Sequence, residues 1–246
     1  MDVSTNLPIP TTALLVAAHP DDADFGAAGT AAKWARAGAA VTYLVVTDGS
    51  KGSWDPAVVP ARLAVRREEE QARACEMAGA RPPEFLRLRD GSVENTMDLR
   101  RELAAWIRRL APQVVITHDP WKPYMLHPDH RSVGTAVCDA VVAARDPHFY
   151  PEQISRGIGH HRPEKILLWS ASVDDHVEEL SEADVETKLL ALRCHESQFE
   201  STMRHTGTST SEAREFEDQI RARCRSAGEI AGFQYGEAFK ALNADR

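Results

Sequence analysis

The stretch ALLVAAHPDD at residues 13–22 decides the fold of this chain. Its first six residues are apolar or small, as expected of a buried strand, and the chain then runs into His19, Pro20 and two aspartates. Ionisable groups that crowd the end of a buried strand are costly unless something offsets their charge. The stretch therefore predicts a central strand whose carboxyl end carries a functional site.

Similar apolar runs recur along the chain, with helix-patterned segments between them. The predicted strands are 13–18, 40–47, 84–88, 114–117 and 165–170. The predicted helices are 27–38, 60–79, 95–110, 131–145, 181–195 and 211–230. This alternation is typical of βαβ units, whose right-handed crossovers place helices on both faces of a mostly parallel sheet. The sequence therefore predicts an α/β fold, a three-layer sandwich.

Length and composition favour one globular domain. The 246 residues include 43% hydrophobic and 27% charged residues, as in ordinary soluble proteins. We expect a single domain over 1–246, with 200–246 as a C-terminal helical extension. The segment 146–164 contains three prolines and two glycines and is expected to be a surface loop.

Charge and hydropathy exclude several classes of partner. A net charge of −8 argues against nucleic acid, because binding to it usually relies on clustered Lys and Arg. No window approaches the roughly 18 apolar residues of a membrane span, and the first residues do not resemble a secretory signal. Four widely spaced cysteines indicate reduced thiols. We therefore expect a cytoplasmic protein.

Polar clusters follow four of the predicted strands. HPDD follows the first, TDGSKGSWD the second, RDGS the third and THDPWKPYMLHPDH the fourth. The carboxyl ends of parallel strands meet at one edge of a sheet, and ligands bind there near a topological switch point. We therefore expect these clusters to form one site.

The spacing within two of the clusters predicts a metal site. His19 and Asp22 lie three residues apart, and His127 and His130 repeat the spacing. Two such turns could supply two histidines and an aspartate with an open position, as catalytic zinc sites require. A second carboxylate could then accept a proton from water, and the remaining histidine could stabilise an oxyanion. Six other histidines lack such partners and are expected at the surface or in loops: His118, His148, His160, His161, His176 and His205.

These motifs resemble those of a known superfamily. AHPDDADFGAAGT and HPDHR are similar to the two metal motifs of the LmbE-like (PIG-L) N-acetylglucosaminyl deacetylases, and the resemblance covers roughly residues 12–200. It implies a Rossmann-like fold and a metal-dependent N-deacetylase or amidase. The implied substrate is a small N-acylated sugar of the N-acetylglucosamine type or a conjugate of it, with a thiol-sugar conjugate as the alternative. Homo-oligomeric assembly, as in many members of this superfamily, is a further expectation.

The resemblance also implies roles for the residues of the two motifs. His19, Asp22 and His130 would ligate Zn²⁺, with Fe²⁺ or another divalent metal as alternatives. Asp21 matches the general base that activates water. His127 matches the residue that stabilises or protonates the tetrahedral intermediate.

Further residues match the family outside the metal ligands. Asp129, inside HPDH, would orient a histidine. Arg67, in the RREE helix, and Asp90 would bind sugar hydroxyls, with the adjacent Arg66 as an alternative to Arg67. A tyrosine that some members place two residues before HPDH is shifted here by one position, to Tyr124. His195, in CHESQ, is a further candidate for substrate binding.

Two alternatives from other classes stay open at this point. Two histidines and a carboxylate also form the facial triad of Fe(II) oxygenases, although those enzymes usually build it on a β-barrel. A non-catalytic sugar-binding module would share the fold, because fold alone does not give function. The first strand is not followed by GxGxxG, which weighs against an NAD enzyme.

Overall fold

A computed structural model of the protein describes residues 3–204 and 209–244. The strands in these residues are β1 Ser4–Thr5, β2 Thr12–Ala17, β3 Ala40–Thr47, β4 Glu84–Leu88, β5 Val114–His118, β6 Lys165–Trp169, β7 His176–Leu180 and β8 Tyr235–Asn243. The helices are α1 Asp22–Arg36, α2 Pro60–Met77, α3 Met97–Leu110, α4 Pro128–Arg145, α5 Pro151–Ser155, α6 Glu182–Arg193 and α7 Thr210–Glu229. A short 3₁₀ helix spans Glu196–Gln198.

All the strands belong to one sheet, in the order β1-β7-β8-β6-β5-β2-β3-β4. Strand β2 is an interior strand and pairs in parallel with β3 on one side and β5 on the other. The chain moves outward from β2 through β3 to β4, and β5 then starts the other half. The gap between the ends of β2 and β5 is therefore the topological switch point, where α/β sheets bind ligands.

Helices cover both faces of the sheet. Along β2, Leu14 and Val16 pack into one hydrophobic cluster with residues of α3 and α4. Leu15 and Ala17 point to the opposite cluster, which includes α1. Because successive side chains of a strand alternate between faces, an apolar strand of this kind requires cover on both sides. The predicted mostly parallel α/β fold is confirmed.

The predicted elements agree with the structure except at two helix starts. Helix α1 begins at Asp22 rather than at 27, and α4 begins at Pro128 rather than at 131. The polar motifs HPDD and HPDH therefore lead directly into helices instead of forming separate turns. Their carboxylates stand in first turns, where they face the positive end of the helix dipole.

The C-terminal region is not purely helical, in contrast to the expected helical extension. Helix α7 is present, but strand β8 follows it and inserts between β6 and β7, antiparallel to both. Strands β1 and β7 were also missed, as was the short α5 within the expected loop 146–164. Strands β7 and β8 contain Glu178 and Glu237, which are buried. Charged residues at buried positions obscure the apolar alternation by which a strand is recognised.

None of the described helices combines the length and the apolar character that crossing a bilayer demands.

Candidate active site

The predicted polar clusters meet at the carboxyl ends of β2 and β5. They surround a cavity of about 400 Å³, a volume within the usual range of ligand pockets. The cavity is lined by His19, Asp21, Asp22, Phe25, Lys51, Gly52, Arg67, Asp90, Gly91, His127, Pro128, His130, Gln198 and Thr202.

His19, Asp22 and His130 form a tight triangle on one wall of the cavity. His19 Nδ1 lies 3.2 Å from Asp22 Oδ2 and 3.2 Å from His130 Nε2. His130 Nε2 lies 3.2 Å from Asp22 Oδ1. Ligand atoms about 2.1 Å from one cation, at angles of 90–109°, would stand about 3.0–3.4 Å apart. The two histidine nitrogens have this spacing, and Asp22 presents one carboxylate oxygen to each of them, so the three residues offer suitable donors for a divalent metal ion.

The surroundings of His19 leave its Nδ1 available as a ligand. Its Nε2 lies 3.1 Å from Asp129 Oδ2 and 3.3 Å from Asp90 Oδ1. A proton on Nε2 satisfies these carboxylates and leaves the Nδ1 lone pair directed at Asp22 and His130. Burial lowers the pKa of His19, but Asp22 and the hydrogen bonds to Asp129 and Asp90 outweigh it and hold the pKa well above its usual value. Without a metal, Nδ1 therefore also carries a proton near neutral pH, and a bound cation would displace it.

Asp129 is fully buried and has fixed partners. Besides contacting His19, its carboxylate accepts hydrogen bonds from the backbone N–H groups of Gly91 at 2.7 Å and Val93 at 3.1 Å. Burial raises the pKa of Asp129, but these bonds and the one to His19 lower it overall. The ring of His19 is therefore supported by an ionised carboxylate that is itself held by the loop after β4.

Asp21 faces the cavity next to the triangle, in a strained conformation. Its φ of 101° lies in a region that L-residues seldom adopt, and such strain is common at active sites. Burial raises the pKa of Asp21 to about 6, although Arg67 opposes the shift. Arg67 Nη2 lies 3.4 Å from Asp21 Oδ2. A carboxylate with this pKa can both accept and return a proton near neutral pH.

Arg67 and Asp90 both reach the cavity, and both also have hydrogen-bond partners within the protein. Arg67 donates to the carbonyl oxygens of Gly49 at 2.9 Å and of Pro20, so much of its guanidinium is occupied by backbone. Asp90 accepts from the backbone N–H of Lys51 at 2.9 Å. Burial raises the pKa of Asp90, but hydrogen bonding and charge from His19 lower it to about 2.

His127 stands at the outer side of the site. Its ring stacks on His130, with centroids 4.4 Å apart, and contacts His19 edge-on at 4.6 Å. Burial and the neighbouring His19 and His130 lower the pKa of His127. The side chain remains exposed to solvent, so it can approach a ligand from the open side.

Tyr124 and His195 do not line the cavity. Tyr124 is 96% exposed. His195 is completely buried, and its Nε2 lies 2.9 Å from Asp24 Oδ2. Asp24 also accepts from Gln71, whose side-chain oxygen accepts from the backbone N–H of Asp21. The structure therefore places His195 behind Asp21, out of contact with the cavity.

His118 is the main site residue that the sequence analysis missed. It was expected at the surface, but it is 2% exposed, with Nε2 3.4 Å from Asp22 Oδ2. The indole N–H of Trp169 donates to His118 Nδ1 at 3.1 Å. Burial lowers the pKa of His118 to about 4, so the ring is neutral. The sequence did offer one indication of this role, because His118 ends strand β5 beside the switch point.

Other corrections concern single side chains. His176 was also expected at the surface, but it is 1% exposed and its Nε2 lies 2.9 Å from Glu178 Oε1. His148 and His160 are exposed, as expected, whereas His205 lies outside the described residues. Three polar residues that line the cavity were not singled out from the sequence: Lys51, Gln198 and Thr202.

Known proteins are similar to this chain over most of its length. The chain is 32% identical to diacetylchitobiose deacetylase from Thermococcus kodakarensis, over 92% of this chain and 81% of the relative. It is 30% identical to a probable N-acetyl-alpha-D-glucosaminyl L-malate deacetylase 2 from Bacillus anthracis, over 84% of this chain and 87% of the relative.

A solved structure extends the likeness to three dimensions. N,N'-diacetylchitobiose deacetylase from Pyrococcus horikoshii, complexed with its inhibitor MPG, superposes with a TM-score of 0.85 at 28% identity. The match covers 96% of this chain and 85% of that one. The PIG-L family, described as GlcNAc-PI de-N-acetylase, matches residues 14–141, a span that includes both metal motifs. The chain therefore belongs to the PIG-L family, whose members here are enzymes that hydrolyse C–N bonds as deacetylases.

Proposed function

We propose that this protein removes the N-acetyl group from an N-acetylglucosamine-type sugar, with a zinc ion held by His19, Asp22 and His130. The observation that carries the proposal is the cluster of His19, Asp22 and His130 beside the Asp21 carboxylate. The two histidine nitrogens lie 3.2 Å apart, and each lies 3.2 Å from a different oxygen of Asp22. The substrate class is supported by the relatives named as deacetylases of diacetylchitobiose and of N-acetylglucosaminyl malate.

Asp21 is the proposed general base. A divalent cation, when bound, would polarise the amide carbonyl and make water easier to deprotonate. The Asp21 carboxylate, with a pKa raised to about 6, accepts the proton as the water oxygen bonds to the carbonyl carbon. Its contact with Arg67 keeps the carboxylate in place beside the triangle.

Collapse of the tetrahedral intermediate requires a proton on the leaving nitrogen, because an amide anion is a very poor leaving group. Asp21 returns the proton that it took from water, the C–N bond breaks, and acetate and an amine are released. His127 reaches the same space from the solvent side and stabilises the oxygen on which negative charge develops.

Substrate hydroxyls are assigned to the inner wall of the cavity. Asp90 and Lys51 face it from neighbouring loops and offer an acceptor and a donor. Arg67 has most of its contacts with the backbone around Asp21, so its main contribution is to hold that loop. Tyr124 and His195 have no part in this proposal.

The direct test is release of acetate from N-acetylglucosamine, N,N'-diacetylchitobiose and N-acetylglucosaminyl malate. Activity should disappear after chelation and return with Zn²⁺. His130→Ala should lose bound metal and activity together, whereas His148→Ala, at an exposed histidine outside the cavity, should retain both. A fully active, metal-free His130→Ala protein would refute the proposal. Oxygen consumption with Fe(II) and 2-oxoglutarate would favour the oxygenase instead.

A cytoplasmic location and homo-oligomeric assembly stay predictions from the sequence. They are tested by cell fractionation and by light scattering of the purified protein.

A further inference from the structure

Helix α1 is broken close to the metal ligands. Ala27 has φ −153° and ψ 15°, which interrupts the helix between its first turn and its longer second half. In an unbroken α-helix the N–H of Gly29 would donate to the carbonyl of Phe25, four residues earlier. The break removes this bond and leaves two buried backbone groups in need of partners.

A buried ion pair from two distant elements takes the place of that bond. Lys188 of α6 donates from Nζ to the carbonyl oxygen of Phe25 at 2.7 Å. Glu237 of β8 accepts from the N–H groups of Gly29 at 3.1 Å and Thr30 at 2.7 Å. Lys188 Nζ and Glu237 Oε1 are 2.5 Å apart. The backbone groups that lose their helical hydrogen bond at the break are therefore satisfied by these two side chains.

The polarity of the pair matches the two helix ends. The ammonium group of Lys188 meets a free carbonyl at the end of the first turn, and the carboxylate of Glu237 caps the amides that start the second half. Both side chains are about 95% buried. Burying two charges is costly, and an apolar pair of similar size often stabilises a protein equally well. General stability is therefore a weak reason for this pair.

Phe25 connects the pair to the active site. Its carbonyl is held by Lys188, while its N–H donates to the carbonyl of Asp21 at 3.0 Å. Its side chain lines the catalytic cavity. Both backbone polar groups of Phe25 are therefore hydrogen-bonded, and this holds the first turn of α1, which follows Asp21 and contains Asp22.

We propose that Lys188 and Glu237 are positioning residues, which hold the kink in α1 so that Asp22 meets His19 and His130 and Asp21 faces the cavity. This inference rests on the proposed metal site. It predicts that removing the ion pair weakens metal binding more than removing another ion pair of α1 that contributes similarly to folding stability.

The test compares Lys188→Met with Lys33→Met. Lys33 also joins α1 to a buried glutamate, with Nζ 2.8 Å from Glu178 Oε2, but it lies in the second half of the helix, away from the cavity. For each metal-free protein we would measure the Zn²⁺ dissociation constant by chelator competition, the urea midpoint, and kcat and KM for acetate release.

We expect Lys188→Met to weaken Zn²⁺ binding about tenfold or more, as for other residues that orient metal ligands. Its kcat should fall with little change in KM. Lys33→Met should lower the urea midpoint but keep Zn²⁺ affinity within about twofold of wild type. Glu237→Gln keeps the size of the side chain and one acceptor oxygen, so its Zn²⁺ affinity should lie between those of wild type and Lys188→Met. If Lys188→Met does not fold, Glu237→Gln tests the inference in its place.

Two results would overturn the inference. One is wild-type Zn²⁺ affinity in folded Lys188→Met or Glu237→Gln, and the other is an equal loss of affinity in Lys33→Met. Absence of Zn²⁺ binding by the wild type would instead refute the proposed function itself, and the inference with it.

Discussion

Asp21 shows at the scale of one residue how environment gives a carboxylate its role. Asp21 and Asp22 are adjacent, yet burial raises the pKa of Asp21 to about 6, whereas His130, His118 and His19 overcome burial and hold the pKa of Asp22 well below its usual value. One carboxylate is suited to carry a proton and its neighbour to bind a cation.

Asp21→Asn should therefore separate catalysis from metal binding. The amide keeps the size of the side chain but cannot accept a proton, so kcat should fall by about 10²–10⁴. Bound zinc, measured by elemental analysis, should remain at the wild-type level because the triangle is intact. Turnover within a few-fold of wild type would remove Asp21 from the proposed role of general base.

Trp169 and Trp34 allow a matched comparison of one buried N–H group. The Trp169 indole donates to His118, whereas Trp34 Nε1 is buried without a hydrogen-bond partner among the described residues. Trp169→Phe leaves His118 Nδ1 without its donor and should lower the free energy of unfolding by about 1 kcal/mol more than Trp34→Phe does. Urea unfolding of both variants measures the difference. An equal loss would mean that the bond to His118 contributes nothing.

At the scale of elements, the starts of α1 and α4 build the site, and the sequence-based prediction placed both of them a few residues too late. Five strands and six helices were placed near their observed positions, because apolar periodicity reports burial. Helix α1 was started at 27 because its first turn is polar and is followed by a break. Lys188 and Glu237, which stabilise this break, lie more than 150 positions further along the chain. No local sequence pattern therefore indicates these contacts.

Gly26 tests how tightly α1 is fitted against β6. A Cβ at Gly26 would lie 2.6 Å from Trp169 Cδ2, closer than carbon atoms can pack. Gly26→Ala must displace the indole or the helix, so it should lower the free energy of unfolding by about 1–3 kcal/mol. Gly159→Ala, where a Cβ meets nothing within 4 Å, should change it by less than about 0.5 kcal/mol. Comparable losses in the two variants would contradict this account.

At the scale of the whole molecule, the site depends on contacts across nearly the full chain. The motifs at His19 and His130 were recognisable from their spacing, and the switch point predicted that they would meet. His118 carried no such signal, because its importance comes from Trp169 and Asp22 beside it in space. Strand β8 was missed for the same reason, since its buried Glu237 is explained by partners on α1 and α6.

Metal binding should stabilise the whole fold, because the three proposed ligands come from two segments of the chain. Asp22 and His130 are 108 positions apart in sequence. A ligand that binds the native state alone, at 100 times its dissociation constant, adds about 2.7 kcal/mol to the free energy of unfolding. For a chain of this size that gain corresponds to a rise in Tm of about 5–10 °C. Calorimetry of the metal-free protein with increasing Zn²⁺ should show this rise, and His130→Ala should not. A Tm that is independent of Zn²⁺ in the wild type would show that the triangle does not bind the ion in the folded protein.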